Sequence, residues 1–169
     1  QLLQEENAKT QMFVRDVDVD TDIEMLIPDN YVSNIQERLI LYTELDKLET
    51  EDDISKFNAM LKDRFGPVPA QVNELFDGLR IRMIAKKLGF ERVILKNRKM
   101  NCYFITNAQS IYFETKVFQN ILQYVAADGH FKGLTMKQSN NYLIMTKENV
   151  RTLKEARALL EGIAEKVIA

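Results

Sequence analysis

The stretch Ala85-Lys86-Lys87-Leu88-Gly89-Phe90-Glu91-Arg92-Val93-Ile94-Leu95 is where one kind of chain gives way to another. On its N-terminal side, residues 69–88 carry Val72, Leu75, Phe76, Leu79, Met83 and Ile84 at helical spacing, with Pro69 suited to the first helical position. Lys86 and Lys87 suit the negative end of that helix dipole, and Gly89 suits its left-handed cap. On its C-terminal side, residues 91–95 and 102–106 have the β-branched and aromatic content of strands, joined by a turn at 96–101.

Working outward toward the N-terminus, Gly66-Pro67 ends a helix expected over 51–65, which carries Ile54, Phe57, Leu61 and Phe65 and opens on a Thr50-Glu51-Asp52-Asp53 capping box. Another helix is expected over 31–48, with Ile35, Leu39, Tyr42 and Leu45 as its apolar stripe. Before it, residues 14–26 alternate as a strand, with Val17, Val19, Thr21 and Ile23 on one side and acids on the other, until Pro28 ends the pattern. Residues 1–13 read as the end of a preceding linker or helix. In the other direction, 110–113 reads as a further strand and 117–126 as a short helix. Strands are expected at 134–136 and 142–145 about the polar run 137–141. A final helix over 148–167 turns Leu153, Ala156, Leu160 and Ile163 to the core. The expected fold class is α/β: a mixed single domain with a helical first half, followed by a small mixed sheet packed with helices.

At 169 residues and 46% apolar composition, the chain can build one substantial core and is short for two full domains. With 23 Lys and Arg against 25 Asp and Glu, the formal charge is -2, which leaves no overall electrostatic pull toward a nucleic-acid backbone. The single cysteine, Cys102, excludes an internal disulfide and a multi-cysteine metal site, and it suits a reducing cytoplasm, the expected location. No apolar run reaches the roughly 20 residues of a membrane span, and the polar start QLLQEENAKT is unlike a signal peptide. The start on Gln1 leads us to expect a segment of a larger protein.

Asp16, Asp18 and Asp20 match the first three ligand positions of a calcium loop, but Thr21 stands where its glycine is required and Ile27 where its bidentate glutamate is required. The expectation is instead a solvated strand face whose like charges discourage edge pairing. His130 has no helically spaced histidine and no nucleophile motif beside it. Cys102, in an apolar strand, is expected to pack as a small hydrophobe. Neither GxxxxGK[ST] nor GxGxxG occurs, so no phosphate-cradling loop is expected, and no catalytic, cofactor or metal residues are assigned. Lys86, Lys87 and the run from Arg92 to Lys99, with Tyr103 and Phe104 nearby, offer an alternative reading as a direct nucleic-acid or other protein-binding module.

The remaining feature is Leu61-Lys62-Asp63-Arg64-Phe65-Gly66-Pro67-Val68-Pro69, in which a charged pair stands at a helix end beside two prolines. Asp63 and Arg64 occupy a restricted joint, and two roles stand open for them: a local cap or intradomain ion pair, and a docking contact that supplies register and specificity.

This motif occurs in order with Ile27-Pro28-Asp29-Asn30-Tyr31-Val32, Arg38-Leu39-Ile40-Leu41-Tyr42, Leu79-Arg80-Ile81-Arg82 and Ala85-Lys86-Lys87-Leu88-Gly89. Together they resemble the C-terminal (TRCF) domain of the bacterial transcription-repair coupling factor family, Mfd. The resemblance runs from about Val14 to the end and implies a non-catalytic regulatory domain over 14–169, without a cofactor of its own. ATP and Mg would belong to motor domains elsewhere in a parent ATP-dependent DNA translocase that displaces RNA polymerase stalled at DNA damage and recruits excision repair through UvrA. The resemblance also implies docking on the N-terminal UvrB-like region of the same parent chain, which masks its UvrA-binding surface. The family's docking Asp and Arg fall on Asp63 and Arg64. An acidic docking position three residues earlier falls on Met60, a departure that removes one charge and favours more apolar contact.

Overall fold

The computed structural model describes residues 14–168, so the expected lead-in over 1–13 lies outside the described residues. The first element, β1 (Asp18–Thr21), is much shorter than the alternation at 14–26 suggests. The Thr21 hydroxyl accepts from the Ile23 N–H and bends the backbone out of the ladder. The alternation still sorts the side chains: Val17 is buried, while Asp18 and Asp22 are exposed.

Three helices follow: α1 (Ile35–Asp46), α2 (Glu51–Phe65) and α3 (Ala70–Leu88). The stripe expected on the first is corrected, because Ile35 and Leu39 are 65% and 61% exposed while Leu41 and Leu45 are buried. The aliphatics of this helix lie on more than one side, and its orientation is set from outside. The Tyr31 and Val32 N–H groups close a turn on the Pro28 carbonyl, and Asn34 caps the helix by accepting from Glu37. The expected capping box opens α2: the Thr50 oxygen accepts from Asp53, and the Asp53 carboxylate accepts from Thr50. Pro69 serves as the N-cap of α3 and not as its first helical residue.

Gly89, at φ 91°, ends α3 in the left-handed region. Strands β2 (Phe90–Lys96) and β3 (Lys99–Phe104) then form a hairpin whose two loop residues, Asn97 and Arg98, have φ of 53° and 61°. The strand expected at 110–113 is instead a 3-10 turn, Ile111–Glu114, because the Ser110 hydroxyl accepts from the Tyr112 N–H and starts a helical turn. The chain continues through α4 (Lys116–Ala127), β4 (Leu134–Ser139), β5 (Tyr142–Glu148) and α5 (Leu153–Val167). The last helix begins at its Thr152 cap and not at Glu148, since Glu148 still pairs with Lys99 and Asn149 turns with φ 60°.

The sheet order is β1-β2-β3-β5-β4, antiparallel except for the parallel β1·β2 pair. The helices α1 to α3 therefore constitute the crossover between two adjacent parallel strands. One hydrophobic cluster joins one face of the sheet to α4, α5 and the C-terminal half of α3, through Ile81, Ala85 and Leu88. A second, including Ile27, Leu41, Ile54, Phe57 and Leu61, takes Val72 and Phe76 from the N-terminal half of α3. The fold is thus an α/β arrangement of a helical lobe and a sheet lobe that share α3.

Where the lobes meet, Asp77 is buried between two arginines. Arg80 Nη1 donates to Asp77 Oδ1 at 3.1 Å, while Arg80 Nε and Nη2 clasp both oxygens of Glu51 at 2.9 and 2.7 Å. Arg157 Nε of α5 lies 2.8 Å from Asp77 Oδ1 but off the line of a hydrogen bond, so charge attraction dominates that contact.

A candidate docking site at the end of the second helix

The C-terminal turn of α2 presents Met60, Asp63 and Arg64 on neighbouring positions, since residues three and four apart share a helix face. Its direction is held from beneath. The Tyr31 hydroxyl lies 3.1 Å from the Leu61 carbonyl oxygen and 2.9 Å from that of Gly66, and its ring meets Phe65 at a centroid distance of 5.8 Å. Burial raises the Tyr31 pKa above its ordinary value, so the hydroxyl keeps the proton it donates. Gly66, at φ 89°, makes the exit that a side chain would strain, and the Gly66 N–H donates to the Lys62 carbonyl. With Pro67 and Pro69 following, the charged turn is displayed on a stiff support.

The two charges are held differently. Arg64 Nη2 lies 3.4 Å from Glu37 Oε1 of α1, with both side chains about half exposed at 50% and 45%. Its guanidinium also stands over the Phe65 ring at 4.9 Å and reaches the Met60 sulfur at 3.9 Å. Asp63 is exposed and has no ion-pair partner among the described residues. The intradomain pair left open by the sequence is therefore formed by Arg64 but not by Asp63. An exposed pair of this kind contributes about 0 to 1 kcal/mol, so Arg64 can change partners at little cost. Met60 supplies apolar packing beneath the guanidinium in place of a charge.

The other sequence candidates are placed apart from this turn. Asp20 pairs with Lys96 at 2.9 Å and Asp22 Oδ2 accepts from the Asn97 N–H, which ties part of the acidic stretch to the β2–β3 hairpin. Lys99 pairs with Glu148 at 3.5 Å, Phe104 lies in the core, and Tyr103 packs edge-on against Tyr142. Two lysines and both aromatics of the alternative nucleic-acid surface are thereby already engaged. Cys102 is buried, and burial pushes its thiol pKa far up, as suits a packed hydrophobe. His130 is exposed, with its ring 3.9 Å from that of Phe131. Among the described residues, no three His, Cys, Asp or Glu side chains assemble to hold a metal ion, and no helix is long and apolar enough to cross a membrane.

Sequence reasoning missed Glu37 as the partner of Arg64 and Tyr31 as the clasp, because both act across 27 or more residues. It also placed Ile35 and Leu39 inside, where the structure turns them to solvent beside this site. The available signal was the surplus of aliphatics at 35, 39, 40, 41 and 45, more than one buried stripe needs.

A family model described as the TRCF domain matches residues 21–115, more than half of the chain. A transcription-repair-coupling factor of Borreliella burgdorferi is 30% identical over 99 residues, which cover 59% of this chain and 9% of that protein. The Rickettsia typhi protein of the same description is 28% identical over 167 residues, or 97% of this chain and 14% of the relative. The chain thus spans only a small part of the length of these relatives. A crystal structure of the C-terminal domain of a transcription-repair coupling factor superposes with a TM-score of 0.66 at 17% identity, covering 90% of this chain and 95% of the other.

Proposed function

This chain belongs to the TRCF domain family, the C-terminal domain of transcription-repair coupling factors, and from that premise we propose that it is a non-catalytic autoinhibitory clamp within a longer parent. In this reading, Asp63 and Arg64 dock on the parent's N-terminal UvrB-like region, mask its UvrA-binding surface and restrain the ATP-dependent translocase that displaces stalled RNA polymerase. The observation that carries it is an exposed Asp63, without an ion-pair partner among the described residues, beside an Arg64 held by one weak pair, both on a stiffened helix end.

The energetics suit a switch. A closed state favoured by about 2.8 kcal/mol leaves roughly one molecule in a hundred open. Exchanging the Glu37 partner for an acid on the docking surface costs less than the pair contributes, at most about 1 kcal/mol. Charge contacts of this size can therefore set a clamp that a motor cycle or a partner can release.

The test is UvrA titration of the full-length parent against its Asp63→Arg/Arg64→Asp variant. Losing two favourable contacts and gaining two repulsive ones is expected to raise apparent UvrA affinity by roughly tenfold. Superimposable binding curves for the two proteins would rule out docking through this turn.

A further inference from the structure

The outward side of α1 is unlike an ordinary solvent face. At 100° per residue, Ile35, Gln36, Leu39, Ile40 and Thr43 fall within an arc of about 140°, whose one charged member, Asp46 in the last turn, is engaged by Arg82 at 3.1 Å. All five are exposed, none is charged, and the Thr43 hydroxyl is turned back to donate to the Leu39 carbonyl. Ile35, Leu39 and Ile40 are 65%, 61% and 58% exposed, which leaves on the order of 300 Å² of aliphatic surface in water. The opposite side of the same helix already buries Leu41 and Leu45, so the outward aliphatics are additional to the core. Glu37, on the flank between the two sides, reaches Arg64, which makes the arc continuous with the charged turn of α2.

We infer that this arc is the apolar centre of an intramolecular contact, occupied by an aliphatic-lined hollow on the same polypeptide outside these 169 residues. The inference rests on the docking reading above and assigns it a second, larger element. Two observations select a tethered occupant. Relatives carry most of their length outside the matched region, which here is 9% and 14% of the two proteins compared. The arc is also smaller than the roughly 800 Å² per partner of a stable free interface, whereas covalent linkage supplies an effective concentration on the order of millimolar. A rim acid on the hollow would meet Arg64 and a rim base would meet Asp63, so the aliphatic centre supplies affinity and the charges supply register.

The test places a photo-crosslinking side chain at the exposed position 39, as Leu39→benzoylphenylalanine, in the full-length parent. The expected product is an intrachain cross-link to a peptide outside residues 1–169. Its yield should fall about fivefold or more when Ile35→Ser and Ile40→Ser are added. A cross-linked species of doubled mass assigns the arc to a second copy and overturns the proposal, as does capture of a peptide within residues 1–169 or no cross-link at all. A cross-link undiminished by Asp63→Arg/Arg64→Asp upholds the helix contact while removing the charged turn from it. The converse, an effect of charge reversal on UvrA binding with no outside cross-link at position 39, sinks the helix contact alone.

Discussion

In the sheet lobe, 25 buried residues link one face of the sheet to α3, α4 and α5, while the helical lobe has nine buried residues among α1, α2, the front of α3 and the segment before them. The larger cluster contains four aromatics, Phe90, Phe104, Tyr112 and Phe118, with Phe104 within 6.4 Å of each of the other three. The smaller relies on one edge-to-face pair, Phe57 with Phe76 at 6.2 Å. The lobe with the smaller core is also the one that leaves three aliphatics of α1 exposed and holds its charged turn by an exposed ion pair. Exposed apolar side chains occur in the sheet lobe too, Phe131 and Ile111 among them, but only α1 gathers three aliphatics on one helix, over the smaller of the two cores.

The most damaging single change falls where α3 passes into β2. Gly89→Ala is expected to destabilise both lobes by about 3 to 4 kcal/mol, because the new Cβ would stand 2.0 Å from the Tyr112 ring at a backbone φ of 91°. Chemical denaturation measures it, and a loss below about 1 kcal/mol would show that Tyr112 moves aside freely. Next in size, Asp77→Ala leaves Arg80 and Arg157 facing each other without their shared acid and should cost about 2 kcal/mol. If the lobes depend on that acid, far-UV and tyrosine signals should separate into two transitions, with the helical lobe melting first.

A smaller effect depends on pH. The Arg80 hydrogen bond holds the Glu51 carboxyl below its ordinary pKa against opposing desolvation, so its stabilisation is present above the unfolded-state pKa and lost as pH falls through the lower folded-state value. Because Glu51 is 67% exposed, Glu51→Gln should cost only about 0.5 kcal/mol at neutral pH and flatten that part of the acid limb. The smallest expected effect is that of Arg64→Ala, within about 0.5 kcal/mol of the parent stability. A cost of 2 kcal/mol or more would mark Arg64 as structural and count against its docking role.

Much of this division was legible in the residues. The 3.6-residue period of α2, its capping box, the Gly89 stop and the strand pair beyond it are local signals, and each one specifies its own element. The orientation of α1 was not legible, because aliphatics at 35, 39, 40, 41 and 45 fit more than one face and only packing into the helical-lobe cluster selects Leu41 and Leu45. Similarly, Ser110-Ile111-Tyr112-Phe113 has strand composition, yet one hydroxyl bond and burial of Tyr112 against the Leu88 carbonyl turn it into a 3-10 helix. At the candidate site, Asp63 and Arg64 could be named from a motif. The Glu37 contact could not, since it depends on how α1 is rotated.

The parallel pairing of Asp18–Thr21 with Arg92–Leu95 makes the helical lobe an insert between neighbouring strands of a host sheet. Such an insert does not close on itself like a cartridge, because the chain leaves β1 where the Asp22 N–H meets the Leu95 carbonyl and re-enters the sheet at Phe90, the other end of β2. The shared helix prevents a clean excision: cutting before Ala70 leaves Val72 and Phe76 stranded in water, and cutting after Leu88 takes Ile81 and Ala85 out of the host core. A viable graft must therefore keep α3 and replace only what precedes it.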